Sequence, residues 1–192
     1  MEETTVLTNE FKDILLSKEE QQVIFSGYQK INVKKREFLI TSGKIVNHYY
    51  IVEKGFLRSF VIDVKGNEVT TNFYSQGSII LEETSFFLRI PTKEYIQVME
   101  DTELWIKDFD TFQEHFNFSE KYREWGRAHL SKNFFEFKQR SLGMITESAT
   151  ERYQDLVEDY PEIIQKASLK HIASFLGITD TSLSRIRKEL IK

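Results

Sequence analysis

Ser168-Leu169-Lys170-His171-Ile172-Ala173-Ser174-Phe175-Leu176-Gly177-Ile178-Thr179-Asp180-Thr181-Ser182-Leu183-Ser184-Arg185-Ile186-Arg187-Lys188-Glu189-Leu190 holds two apolar periods of three and four, separated by one glycine. Ser168 stands where it caps a first helix, whose Leu169, Ile172, Ala173 and Leu176 fall on one side. Ala173 is small where a second helix must cross closely. Gly177 falls where the chain needs a left-handed conformation to end the first helix, Ile178 plugs the turn, and Thr179 caps the next helix. Leu183, Ile186 and Leu190 then bury one side of that second helix. The pattern predicts a helix-turn-helix.

The other side of the second helix carries Asp180, Thr181, Ser184 and Arg185, short polar groups first and a cation behind. A helix that enters a major groove by its N-terminal end reads base edges with its first two turns, and a guanidinium there bonds guanine O6 and N7 together. Arg185 is expected to make that contact, with Thr181 and Ser184 as weaker readers. Asp180 shares the edge, where a carboxylate must avoid phosphate or accept from cytosine N4. Ser168, Lys170, Ser182, Arg187 and Lys188 are expected on phosphates, fixing register without reading sequence. Charge agrees by segment: the chain carries −4, but residues 168–192 carry +3 and residues 1–167 carry −7. The plain alternative is a helical hairpin with solvated charges.

Upstream of this motif, almost 30 residues after about Ser119 lack proline and keep a helical period. Leu130, Phe134, Phe137, Ser141 and Met144 follow one another at spacings of four and three, a heptad seam, while Trp125, Ala128, Phe135, Leu142 and Ile145 form a second stripe. The expectation is that one stripe packs on the chain's own β-roll and the other on the same helix of a second copy, giving a two-fold dimer. A helix buried within a monomer is the alternative. Helices are further expected over about Thr150 to Asp159, stopped by Pro161, and over about Glu162 to Lys166.

From about Ile31 the period changes to two, and Gly43, Gly55, Gly66 and Gly77 punctuate short β-branched and aromatic runs. Phe56–Ile62 and Val69–Tyr74 flank a turn at Asp63-Val64-Lys65-Gly66-Asn67-Glu68, and the pattern continues from Tyr95 to Lys107. Such spacing indicates a small antiparallel barrel or roll. Ser17-Lys18-Glu19-Glu20 matches a capping box for a helix to about Phe25, and an earlier helix is expected around Asn9 to Leu16. The fold class is therefore α+β, with a β-roll and N-terminal helices at 1–118, a long dimerisation helix at 119–146 and a helix-turn-helix domain at 147–192.

The 192 residues are 40% apolar and 29% charged, a composition of folded chains. Zero cysteines exclude disulfides, thiolate zinc sites and cysteine nucleophiles. His48, His115, His129 and His171 show no metal-binding spacing, so no metal and no resident cofactor are expected. No run is long enough to span a bilayer, and the acidic Met1-Glu2-Glu3 start is unlike a signal peptide, so the expectation is a cytoplasmic protein without a membrane.

With these parts in order, the chain resembles the Crp/Fnr family of bacterial transcription regulators. The resemblance is carried by Tyr50-Ile51-Val52-Glu53-Lys54-Gly55-Phe56-Leu57-Arg58, Gly66-Asn67-Glu68, Gly77-Ser78-Ile79-Ile80, Leu176-Gly177-Ile178-Thr179 and Leu183-Ser184-Arg185-Ile186. Glu151-Arg152-Tyr153 and Tyr160-Pro161 look like the compact regulators of Bacteroidetes-type bacteria. The resemblance implies a cyclic-nucleotide-binding-like double-stranded β-helix, a homodimer through the long helix, and control of transcription by an effector in the roll. The implied partners are double-stranded DNA, a second copy and RNA polymerase.

Two departures qualify it. In cyclic-AMP-binding members a glycine precedes a glutamate, and an arginine with a serine or threonine follows some ten residues on. Here Glu82 keeps the glutamate, but Leu81 replaces the glycine and Thr92-Lys93 stand for the arginine pair. Glu82, Thr92 and Lys93 are thus a candidate ligand pocket, expected to bind cyclic AMP weakly or not at all, because Leu81 blocks close backbone approach and Lys93 lacks a guanidinium's fork. The sixteen phenylalanines raise a further alternative, a roll filled by its own side chains. The second departure is that Lys192 directly follows the reader helix, without the β-hairpin wing of many members. Other readings are an enzyme on a cupin-like roll, disfavoured by the lack of clustered histidines, and a ligand- or protein-binding module without DNA binding.

Overall fold

Along His48–Lys54 successive side chains leave the strand on opposite sides, and residues on both sides are buried, so two layers must cover it. The computed structural model describes residues 5–190. In chain order the elements are α1 (Val6–Glu10), a 3-10 turn (Lys12–Ile14), α2 (Lys18–Ser26), β1 (Gln29–Val33), β2 (Phe38–Ile40), β3 (His48–Lys54), β4 (Leu57–Ile62), β5 (Glu68–Tyr74) and β6 (Ile79–Ile80). There follow α3 (Glu83–Leu88), β7 (Tyr95–Val98), β8 (Thr102–Asp108), α4 (Phe109–Phe118), α5 (Glu120–Thr146), α6 (Ala149–Asp159), α7 (Pro161–Lys166), α8 (Leu169–Phe175) and α9 (Asp180–Leu190). They form two compact units, one of residues up to Leu57 with Tyr74–Ser131, the other of Arg58–Phe73 with the chain from Lys132 onward.

The first unit contains an antiparallel sheet in the order β1-β8-β3-β6, with Tyr50 opposite Ile106 and Val52 opposite Leu104. Strand β2 pairs antiparallel with β7. Tyr50, Val52, Leu57, Ile80, Ile96, Val98 and Leu104 make one core cluster. The alternate residues of β3, Tyr49 and Ile51, point into a second cluster with Leu7, Phe11, Ile24, Phe86, Phe112, Tyr122 and Trp125. The first cluster is built of aliphatic side chains and Tyr50, and Phe11, Phe86 and Phe112 gather in the second, while Phe56, Phe60 and Phe73 are buried as well. Gly55 turns the corner after β3 at φ +126°, where a Cβ would lie 2.2 Å from Thr102 Oγ1.

Ser17 and Glu20 form the expected capping box before α2. Glu20 also accepts from Ser119 Oγ at 2.7 Å, tying α2 to the start of α5, and its carboxyl is held down to about 2 by the Ser17 N–H and then the Ser119 hydroxyl. The helix expected at Asn9 to Leu16 is a correction. Thr5 caps an earlier start, accepting from Thr8 N, and the chain has left the α-helix by Phe11, with Leu15 left-handed and exposed.

A polar chain crosses the second cluster. Tyr49 Oη hydrogen-bonds to Tyr28 and, at 2.6 Å, to Tyr122. Lys107, only 1% exposed, donates to Ile24 O at 3.0 Å, lies 2.9 Å from His115 Nδ1 and sits over the Tyr28 ring at 3.8 Å. Burial pushes the Lys107 ammonium down to about 6 and, helped by Lys107, His115 down to about 4. Between about pH 6 and 10 the unfolded chain therefore binds a proton at Lys107 that the folded chain does not, so stability rises with pH there and is lost as pH falls to about 6. Urea unfolding is expected to show a gain of about 1–2 kcal/mol from pH 6.5 to 8.0, and Lys107→Met should remove most of this slope, leaving the smaller part due to His115 and His171.

In the second unit β4 and β5 form a hairpin whose turn is closed by Asp63 Oδ1 accepting from Lys65 N and Asn67 N, both at 2.8 Å, with Gly66 left-handed. A capping box of Ser148 and Glu151 starts α6, and Pro161 is the first residue of α7. Ser168 caps α8 through His171 N, and Thr179 accepts from Ser182 N at 3.2 Å at the start of α9. Between them Gly177 N bonds Ser174 O and Ile178 N bonds Ala173 O, a Schellman arrangement with Gly177 at φ +69°. Ile172, Ala173, Leu176, Leu183 and Ile186 are buried, each large apolar side chain contributing roughly 1.5–3 kcal/mol. Leu169 and Leu190, expected on the buried side, are instead exposed at the ends of their helices.

Helix α5 matches its expected length. Tyr122, Trp125 and Gly126 are buried near its start, but Ala128, Phe135, Leu142 and Ile145 are exposed. The expectation that this whole stripe packs on the roll is therefore corrected: the rings of Phe11, Tyr49 and Tyr122 that cover Trp125 serve only the first turns. Among the described residues no helix is long and apolar enough to cross a membrane. The expected lack of a wing turns on Ile191 and Lys192, which lie outside the described residues, as does the acidic start at Met1–Thr4.

Candidate functional site

The Schellman turn and the buried Leu183 and Ile186 set which side of α9 is free. Asp180, Thr181, Ser184, Arg185 and Lys188 are exposed, and Ser182 and Arg187 are half-buried. The side chains of Arg185, Thr181 and Ser184 make no hydrogen bond or ion pair with another described residue. Ser182 Oγ lies 2.9 Å from Thr179 Oγ1, and Ser168 Oγ is engaged as a helix cap, which leaves Lys170, exposed on α8, as the freer cation there. The positive end of the α9 dipole points toward Thr181 and Asp180. This edge combines short donors, one long guanidinium and a helix N-terminus, all suited to anionic oxygens and base edges.

Reasoning from sequence missed what lies beside this edge. Ser174 of α8 accepts from Thr70 N of β5 at 3.1 Å, and its hydroxyl lies 2.9 Å from Thr70 Oγ1. Arg140 of α5 donates to Thr71 O and, at 3.0 Å, to Phe175 O, with its guanidinium over the Phe175 ring. Arg58 is buried, ion-paired to Glu68 and 3.4 Å from Thr70 Oγ1. Beside it His171 is held down to about 4, first by burial and then by the Arg58 charge. Nothing local marks Thr70 or Ser174 for each other across 104 residues.

The heptad residues Phe134, Phe137 and Ser141 are exposed, Phe134 at 60% and Phe137 at 70%. Leu130 lines a small apolar cavity of about 60 Å³ with Tyr49, Leu81, Phe112 and Trp125. Met144 touches the turn, since a Cβ on Gly177 would meet its Cε at 2.5 Å.

In the roll, Glu82 is half-buried and caps α3, accepting from Ser85 N at 2.8 Å. Thr92 is buried, with its hydroxyl accepting from Glu94 N at 3.0 Å, and Lys93 is exposed. No hydrogen bond or ion pair among the described residues links the three. Arg89, a cation that sequence reasoning passed over, donates to Val46 O at 3.2 Å and to Asn47 and lies over Phe109, so its charge serves the fold. Among the described residues no group of three His, Cys, Asp or Glu is placed to hold a metal ion.

Residues 30–117 match the cyclic nucleotide-binding domain family. No curated protein matches the chain. Solved structures share its fold. The catabolite activator protein of Thermus thermophilus aligns over 95% of this chain and 86% of its own, with TM-score 0.60 and 18% identity. A putative Crp/Fnr-family transcriptional regulator from Eubacterium rectale aligns over 91% of this chain and 83% of its own, with TM-score 0.70 and 17% identity. The c-di-GMP-responsive global regulator CLP of Xanthomonas campestris aligns over 91% of each chain, with TM-score 0.69 and 13% identity. At such identities the likeness is one of fold, and it agrees with the α+β architecture expected from sequence: a cyclic-nucleotide-binding-like jelly roll followed by long helix α5. Within residues 30–117 Leu81 is half-buried and Thr92 buried, the two positions that depart from the cyclic-AMP-binding pattern.

Proposed function

We propose that the chain is a sequence-specific DNA-binding transcription regulator of the Crp/Fnr type, working as a cytoplasmic homodimer on a two-fold site with RNA polymerase as a downstream partner and no catalytic step. The observation that carries this reading is the α8–α9 pair: its apolar sides are buried, its turn is closed by a left-handed glycine, and Thr181, Ser184 and Arg185 stand unengaged on the outer edge of α9. Lys170, Arg187 and Lys188, with the hydroxyls of Ser168 and Ser182, would hold phosphates, and Asp180 would border the base-reading edge. Leu130, Phe134, Phe137, Ser141 and Met144 would pair α5 with its copy, setting two reader helices about 34–36 Å apart.

Selection of bound duplexes from a random-sequence pool tests binding, symmetry and spacing together. The expected product is a palindrome with half-sites one helical turn apart, whose affinity falls steeply with salt. Enrichment of no sequence would overturn the reading.

The effector, where one acts, would enter the roll near Glu82, Thr92 and Lys93. Cyclic AMP is expected to bind weakly or not at all: Leu81 blocks close backbone approach, and Thr92 brings no positive charge to a cyclic phosphate. Calorimetry with cyclic AMP is expected to show no saturable heat at micromolar concentrations. A micromolar dissociation constant removed by Lys93→Ala would reverse this expectation.

A further inference from the structure

The contacts of Ser174 and Arg140 with Thr70 and Thr71, together with Phe73 meeting Phe175 edge-on at 5.3 Å, dock the β4–β5 hairpin on α8. Docking leaves an open cleft of about 560 Å³. One wall is Asn67, Glu68 and Val69, and the other includes Lys170, Asp180 and Thr181. A DNA strand held by Ser168 and Lys170, with the α9 N-terminus in the groove beside it, has to run along that second wall. The cleft is the wrong shape and sign for it. Its lining exposes the carboxylates of Glu68, which Arg58 pairs from behind, and of Asp180, with Lys170 as the one lining cation, and duplex DNA needs a net positive surface. The docked state is also held lightly, by a few hydrogen bonds and a ring contact. His171 Nδ1 is buried in it without a hydrogen-bond partner, an unmet polar group that undocking would hydrate.

We propose that the hairpin is an autoinhibitory clasp: docked on α8 through Thr70–Ser174, it walls off the DNA-facing edge with Glu68, and it must leave before α9 seats in a major groove. This rests on the DNA-binding reading of the same helices and adds its regulation. The partner that competes for this edge is the phosphate backbone of the duplex.

The chain has no cysteine, so Thr70→Cys with Ser174→Cys makes a clean reversible lock. In the full-length protein the pair is expected to close under mild oxidant, seen as loss of both thiols. The oxidised protein should bind the selected duplex roughly twenty-fold more weakly than the same protein after reduction. Glu68→Gln, which removes the carboxylate from the cleft and takes the ion-pair partner from buried Arg58, weakens the docked state on both counts and should bind about threefold more tightly than the unaltered chain. Failure of the pair to close, equal binding before and after reduction, or weaker binding by Glu68→Gln would overturn the clasp while leaving the DNA reading intact. Absence of duplex binding in the unaltered, oxidised and reduced proteins alike would overturn the DNA reading, and the clasp with it.

Discussion

Replacing Phe134 and Phe137 together by glutamate is expected to leave a folded monomer that binds its two-fold duplex roughly two to four decades more weakly. Both rings lie largely in solvent within one chain, at 60% and 70% exposure, so their loss removes little from the core of the protomer. Soluble chains rarely leave a row of large apolar groups uncovered, and here Leu130, Phe134, Phe137 and Met144 recur at heptad spacing on a 27-residue helix. Across a pair of such helices two added carboxylates per chain face their copies in a low-dielectric seam, where like charges repel. The second half-site is then no longer held at high effective concentration. Sedimentation at several concentrations and a duplex titration read both effects. A variant that keeps the dimer mass, or a native monomer with unchanged binding, would sink the paired-helix reading.

Arg185→Ala is expected to cost about 1–3 kcal/mol per half-site, and so about 2–6 kcal/mol on a full palindrome, with relaxed preference at one base position in each half. Arg185 stands exposed one turn into α9, its side chain making no hydrogen bond or ion pair with the described residues, so its removal leaves Leu183 and Ile186 packed and the fold unchanged. The control is Lys188→Ala, which should weaken all sequences alike and lower the salt slope by about one. If Arg185→Ala weakens binding without altering the selected sequence, the guanidinium holds phosphate and another side chain reads the base.

The α8–α9 pair is legible in the sequence because its determinants are local: Ser168 caps His171 N, Thr179 caps Ser182 N, and Gly177 closes the turn within a few residues of each. The hairpin turn at Asp63–Glu68 and the corner at Gly55 are marked in the same way, by residues whose own backbone needs decide the geometry. The α1 boundary escapes such a reading because Phe11, Ile14 and Leu15 also fit a helical spacing, which does not reveal that the chain leaves the α-helix at Phe11. The cover of the second α5 stripe escapes it too, because periodicity shows that a face is apolar but not how far its cover extends.

What the sequence determined by itself is therefore the set of elements and the chemistry of the α9 edge, since caps, glycines and side-chain periods act over one or two helical turns. Tertiary structure alone decided three things. It buried Lys107 among Tyr28, His115 and Tyr122, it engaged Glu82 in a cap, and it brought the β4–β5 hairpin to α8. Each depends on which distant surfaces exclude water together, and that information is spread over the chain instead of being written at any one residue.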